Sequence, residues 1–230
     1  MKYSPFFFLF TLILYPPLYA HKKKLVINEQ PEDISIAIPL TEDLMREHGV
    51  LNRILLIYEE IIRRIQNDIE FPVSVLKHTA DITKNFIENY HEKLEENHIF
   101  PLFEKHNKKT RLINILKEQH NKGRKITTEI QKLSSGSLLT LKQKKRIRSL
   151  LRKYIKMDRP HEAREETVLF PRVRSLINNQ EFMQLSKVGE NLEEKMFGKN
   201  GFRNIIRKVE NIEQNLGIYA LEQFTPTKTK

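Results

Sequence analysis

The 230-residue chain reads as all-α: an antiparallel up-down four-helix bundle followed by a C-terminal helical extension. Three observations predict that class. Apolar residues step by three and four along four long segments, as one face of an amphipathic helix does. The breaks between those segments are short, which makes successive helices antiparallel neighbours. Charged residues make up 30% of the chain against 39% hydrophobic, a balance that suits a charged-surface helical protein better than a sheet protein.

Residues 1–20 have the layout of a secretory signal peptide: Lys2, an apolar run over residues 6–15, then Leu18-Tyr19-Ala20. The run is too short to favour a membrane span, so cleavage after Ala20 and a periplasmic or secreted address are expected. Residues 21–40 carry Pro31 and Pro39 without a helical period and read as an extended lead-in. His21 would head the mature chain, but Lys22, Lys23 and Lys24 beside it repel a cation, so a solvated tail is the reading there.

The bundle is expected over residues 41–180. Its first helix carries Leu44, His48, Leu51, Leu55, Tyr58, Ile62 and Ile65 on one face, with Thr41 as the expected N-cap ahead of Glu42 and Asp43. Pro72 opens the second, which runs to about residue 106 with Ile87, His91, Leu94, His98 and Leu102 in register. The third spans about 110–133 with Ile113, Leu116, His120, Gly123, Thr127 and Ile130. After Ser134-Ser135-Gly136-Ser137, a long fourth helix covers about 140–178 with Ile147, Leu150, Tyr154, Met157, His161, Glu165 and Val168. Residues 181–230 form the extension: helical patterns over 182–197 and 202–216, separated by Gly198 and Gly201, then a tail that reads as mobile. The extension could cap a bundle end or build an oligomer interface, and the sequence does not choose.

Composition excludes several chemistries. Without cysteine there are no disulfides, thiolate zinc sites, iron–sulfur clusters or thiol nucleophiles, and seven scattered glycines make no phosphate-binding loop. The net charge of +11 is concentrated in residues 142–156, which hold eight Lys or Arg and no acid. Ile147, Leu150, Leu151, Tyr154 and Ile155 give that stretch an apolar face, so the cations decorate its outside. A solvated surface with weak contact to an anionic envelope surface is the expectation. No nucleic-acid partner is expected, since no recognition motif is present.

One pattern carries chemistry. Residues 91–101 and 161–171 both read His-x3-Glu-Glu-x2-(Ile/Leu)-Phe-Pro, seventy residues apart, and the lone histidines His48 and His120 lie seventy-two apart. Two helical hairpins each contribute one lone His and one His-x3-Glu pair. Positions i and i+4 share a helix face, so His91 with Glu95, and His161 with Glu165, aim two donors the same way. Buried imidazoles and carboxylates are costly unless compensated. A pair of divalent cations compensates them. Heights agree for the first hairpin: His48 is 19 residues before Asn67 and His91 is 19 after Pro72, each roughly 28 Å along the helix. The third connection matches less well and requires an overhang or bend in the fourth helix.

On these residues the chain resembles the haemerythrin-like HHE family of cation-binding bundles. The likeness rests on His48 in Arg46-Glu47-His48-Gly49, the His91/Glu95 pair, His120 in Glu118-Gln119-His120, the His161/Glu165 pair, and the Phe100-Pro101 and Phe170-Pro171 signatures. It implies two iron ions in a non-haem di-iron centre, with a possible oxo or hydroxo bridge. His48, His91, His120 and His161 would be terminal ligands and Glu95 and Glu165 bridges. Such centres bind dioxygen or sense oxygen, nitric oxide or iron; manganese or zinc suits the same donors. One departure stands out: oxygen-carrying relatives have a second His one turn after the third-helix His, where this chain has Arg124. That loss weighs against stable oxygen carriage and towards peroxide or redox reactivity.

Other residues are candidates for additional or supporting roles. His98 could replace the missing ligand, but its repeat counterpart is Val168, which favours a place behind the ligands or at the edge. Glu92 or Glu162 could orient a ligand His; Glu96 and Glu166 read as solvated. Tyr58 is a candidate neighbour of the centre, although it, Tyr90 and Tyr154 read first as packed aromatics. Pro101 and Pro171 should bend their helices just beyond the site. The favoured function is an exported ligand-binding metalloprotein; the alternatives are a di-metal redox enzyme and a structural or metal-reserve bundle.

Overall fold

The computed structural model describes residues 38–226, so the expected signal peptide, most of the lead-in and the last four residues lie outside the described residues. Those described residues form helices and no strand. Helix α1 is Leu40–Gln66, α2 covers residues 73–105, α3 is Thr110–Leu133 and α4 covers residues 141–173. The extension supplies α5, Asn179–Phe197, and α6, Gly201–Leu216, before a single 3-10 turn, Leu221–Phe224.

Local chemistry explains the boundaries. Helix α1 starts ahead of the expected cap: Pro39 occupies the N-cap position, and Thr41 lies buried inside the helix. The reason is tertiary. Ser186 of α5 accepts the Leu40 N–H at 3.1 Å, so the first free donor is satisfied from the extension and Thr41 is not needed. Glu42 and Asp43 do sit in the first turn. Thr140 and Gln143 make a reciprocal capping box for α4, as Asn178 and Glu181 do for α5. Gly217 closes α6 in the left-handed conformation at φ 68°. Helix α4 begins with Leu141 73% exposed, its first turn standing out from the core, and ends sooner than residue 178.

Helices α2 and α4 are not uniform. Each contains a π-helical turn, Glu95–Ile99 and Glu165–Leu169, immediately before its Phe-Pro. Proline lacks an N–H and its ring clashes with the carbonyl four residues earlier. The bend expected of Pro101 and Pro171 thus takes the form of a widened turn on their N-terminal side. Helix α2 has a further π-helical stretch, Thr83–His91.

The four-helix core is continuous with the extension, which lies along α1 and α2 rather than over a bundle end. Phe86 of α2 packs against Phe197 and Phe202 at 5.6 and 6.3 Å between centroids, and the Arg46 guanidinium sits 4.0 Å over Phe202. Arg53 of α1 donates twice to the buried Glu213 of α6, at 2.9 and 2.5 Å. Arg53→Leu strands that carboxylate, and the expected cost is about 1–3 kcal/mol. It should appear as a lower urea midpoint at unchanged m-value, largely recovered by adding Glu213→Leu.

Candidate metal centre

Each bundle helix delivers donors to one level of the core. His48 comes from α1, His91 and Glu95 from α2, His120 from α3, and His161 and Glu165 from α4; all six side chains are buried. The Nε2 atoms of His48 and His91 lie 3.1 Å apart, as do those of His120 and His161. The offset expected at the third connection therefore does not separate that pair. Glu95 spans the two pairs, 3.8 Å from His91 Nε2 and 3.4 Å from His120 Nε2. Glu165 does the same, 3.5 Å from His48 Nε2 and 3.1 Å from His161 Nε2.

The protein alone leaves this cluster frustrated. All four carboxylate oxygens of Glu95 and Glu165 are buried with no hydrogen-bond partner. The other ring nitrogen of every histidine is engaged: Nδ1 of His91 with Glu47 at 2.8 Å, of His48 with Glu166 at 3.0 Å, of His120 with Glu96 at 3.0 Å, and of His161 with Gln119 at 2.9 Å. Each of those partners offers an acceptor oxygen, so Nδ1–H donates and the Nε2 lone pair faces inward. Two lone pairs 3.1 Å apart repel unless they share a cation. The donor set fits two metal ions, with one imidazole pair and one oxygen from each carboxylate available to each. The donor atoms gather as Glu95, His120, His161 and Glu165 on one side and His48, His91 and Glu95 on the other.

Titration reflects the same geometry. Against the cost of burial, the carboxylates of Glu165 and Glu166 beside it push His48 up to about 10, while burial and the His48 charge hold His91 well below its ordinary value. Against burial, Glu165 pushes His161 up to about 9, whereas burial takes His120 down to about 4. Each pair thus keeps one proton in place of a cation. Burial and the charge of Glu165 drive Glu95 well above the carboxylate range; Glu165, against burial, is held well below it by His161 and His48. Glu165 is the carboxylate closer to the imidazoles, which supports that division. Burial also pushes Glu47 up to about 8.

Loading chelator-stripped protein at pH 7 should release protons from His48, His161 and Glu95, which a cation must displace, and from Glu47, raised to about 8 and then facing a metal-bound imidazole. Affinity should therefore fall as pH drops from 8 to 5 and rise towards pH 9. Indicator-dye titration measures the release; an affinity flat across that range would contradict it.

The remaining candidates lie around the six donors rather than among them. His98 is half-buried and outside both donor groups. His98 lies inside the π turn Glu95–Ile99, whose residues each turn by less than the roughly 100° of an α-helix, so the straight-helix count does not hold for it. Glu92 does not orient a histidine; it ion-pairs with Arg124 Nη2 at 2.5 Å. Glu162 is buried with one oxygen unpartnered and bonds no imidazole. Tyr58 bonds Thr83 Oγ1 at 2.9 Å and packs edge-on against Tyr154, within the core rather than the donor set. Arg124 also donates to Glu96 at 2.7 Å, so the place of the missing imidazole is filled by a cation tied to acids.

The orienting groups are residues passed over or read as solvated: Glu47, Glu96, Gln119 and Glu166. Two signals pointed to them. Both repeats have a second Glu after the bridging one, and each lone His comes directly after a Glu or Gln. A residue one position from the core stripe lies about 100° around its helix, beside a neighbouring helix and within reach of the back of that helix's imidazole. The Phe-Pro phenylalanines have a role as well. Phe170 stacks on His48 at 5.6 Å and Phe100 on His120 at 5.7 Å, lining the two lone imidazoles with hydrocarbon.

Comparison with known proteins gives the family. A family model described as "Hemerythrin HHE cation binding domain" matches residues 40–173, and again 111–216. Curated proteins of Mycobacterium tuberculosis and Mycobacterium bovis, each named only as uncharacterized, are 42% identical over 193 residues, covering 83% of this chain and 76% of theirs. No solved structure matches.

Proposed function

Because the chain belongs to the haemerythrin HHE cation-binding family, we propose that its metal centre holds two iron ions and binds dioxygen or a related small ligand, nitric oxide or peroxide, in a protein exported to the periplasm or beyond. One observation carries this reading: four buried, unpartnered carboxylate oxygens lie between two pairs of inward-facing imidazoles. His48 and His91 would hold one ion and His120 and His161 the other, with the carboxylates of Glu95 and Glu165 within reach of both. When bound, the iron pair supplies an exchangeable coordination position and two reducing equivalents. The chain's own contribution is orientation and exclusion. Glu47, Glu96, Glu166 and Gln119 hold each imidazole in one tautomer, and Phe100 and Phe170 keep water from the lone histidines. Manganese or zinc suits the same donors. Export rests on the layout of residues 1–20.

A second reading, a redox enzyme acting on peroxide or nitric oxide, is favoured by Arg124, which stands where oxygen carriers have a fifth imidazole and is committed to Glu92 and Glu96. Metal analysis with an optical spectrum of the purified protein, with and without oxygen or azide, separates the readings. Two irons per chain with reversible oxygen-linked charge-transfer bands support ligand binding. Turnover of peroxide or nitric oxide supports the enzyme, and a colourless zinc-filled protein sinks both.

A further inference from the structure

The end of the bundle remote from the metal centre carries a feature that the metal chemistry does not use. In the connection from α3 to α4, Leu138 is 83% exposed and Leu141 73% exposed, while Leu139 between them packs on the core. A single exposed leucine is ordinary. Here two stand at one loop tip, anchored from behind. Ile69, in the neighbouring α1–α2 connection, is also exposed, and Lys144 ties the two connections together through Glu70 at 3.0 Å.

Directly behind the tip, α4 presents its cations. Lys142, Lys145, Arg152, Lys153 and Lys156 are exposed and Arg148 half-buried, and none of these six makes an ion pair among the described residues. By contrast, Lys144 and Arg146 are taken by Glu70 and Glu129. Exposed leucines at a loop tip, followed along α4 by unpaired cations, match an anionic lipid interface, where leucines enter the acyl boundary and cations meet headgroups. Nucleic acid would use the cations but not the leucines. A folded protein partner would need a pocket for a protruding tip.

We propose that the loop holding Leu138 and Leu141 docks the bundle on an anionic bilayer, with Lys142, Lys145 and Arg148 at the headgroup level. Leu141 lies 20 residues before His161 on α4, roughly 30 Å along the helix, so docking leaves the metal centre clear of the lipid. Docking of this kind depends on neither metal identity nor export.

The chain has no cysteine, so Leu138→Cys labelled with an environment-sensitive dye reports on the tip alone. The full chain is mixed with phosphatidylcholine vesicles with or without phosphatidylglycerol, at low and high salt. The expected result is a blue shift with anionic vesicles at low salt, reversed by salt, and no shift for the same dye at Lys199→Cys. In this dye-labelled background, Lys142→Gln with Lys145→Gln should weaken the anionic-vesicle response roughly 25-fold, about fivefold per cation. Flotation of unlabelled Leu141→Asp should recover at least tenfold less protein with anionic vesicles, while its metal content matches the parent. An unshifted dye at position 138, equal shifts with neutral and anionic vesicles, or tighter binding of the same protein to duplex DNA than to vesicles would each overturn the proposal.

Discussion

Glu95→Leu is expected to abolish two-metal loading yet leave chelator-stripped protein as stable as the parent or more so, whereas Glu165→Leu loses loading and stability together. The two carboxylates occupy mirrored positions but differ in charge state. Glu95, raised by burial and by Glu165, is a neutral acid with neither oxygen hydrogen-bonded, and a buried unsatisfied group costs about 1–3 kcal/mol. Leucine removes that cost. Glu165 is ionised between the protonated His48 and His161, so deleting it strands buried charge, at about 3–5 kcal/mol.

The signs set the pH at which to look. Glu165 has a lowered folded pKa, so its contribution is present above its unfolded value of about 4.3 and is lost in acid. His48 and His161 have raised values, so theirs is complete below about 6.5 and lost as pH rises through 9 to 10. Both are in force near pH 6, where the Glu165→Leu deficit should be largest. Glu95 is raised, so its cost grows above about pH 4.3, and the gain from Glu95→Leu should grow with pH. Thermal melts of stripped proteins at pH 6 and 8, beside metal counts by mass spectrometry, test both. Equal destabilisation by the two variants would refute the division of roles.

Glu47→Gln should weaken the binding of one ion by about 10–100-fold, the range for a residue behind a ligand histidine, and leave the other nearly untouched. The two halves of the centre are not alike. Behind His48 and His91 stand two carboxylates, Glu166 and Glu47. Behind His120 and His161 stand Glu96, already shared with Arg124 at 2.7 Å and Lys93 at 2.5 Å, and the neutral amide of Gln119. A carboxylate makes the imidazole it holds a stronger donor than an amide does. A cation on His91 also favours ionised Glu47, offsetting the burial that raises it. The His48/His91 half should load first, giving two separated steps in a cobalt or zinc titration. Glu47→Gln draws the steps together by weakening the first, and Gln119→Glu does so by strengthening the second. A single step in the parent, or an unchanged first step in Glu47→Gln, would contradict the asymmetry.

The six inward donors were legible because their cause is local. The i to i+4 spacing and the repeated His-x3-Glu-Glu put each pair on a core stripe before any neighbour is known. Glu96, Glu166, Glu47 and Gln119 were not, because each lies off that stripe and matters only through the helix it faces. His98 is a milder case: a straight-helix count puts it in register with His91, and its repeat counterpart Val168 points to the edge, where it lies half-buried in the π turn. Thr41 gave way as a cap because its work is done by Ser186, 145 residues later in the chain.

From its own periodicity, then, this chain dictated four helices, their antiparallel order and a polar stripe of four imidazoles and two acids, since all of these arise from spacing along a single helix. Folding alone settled which oxygen backs each imidazole, that Arg124 turns to Glu92 and Glu96, and that α5 and α6 lie along α1 and α2 instead of over an end. Those are relations between faces of different helices, and contacts across a bundle leave no period in the sequence of any one of them.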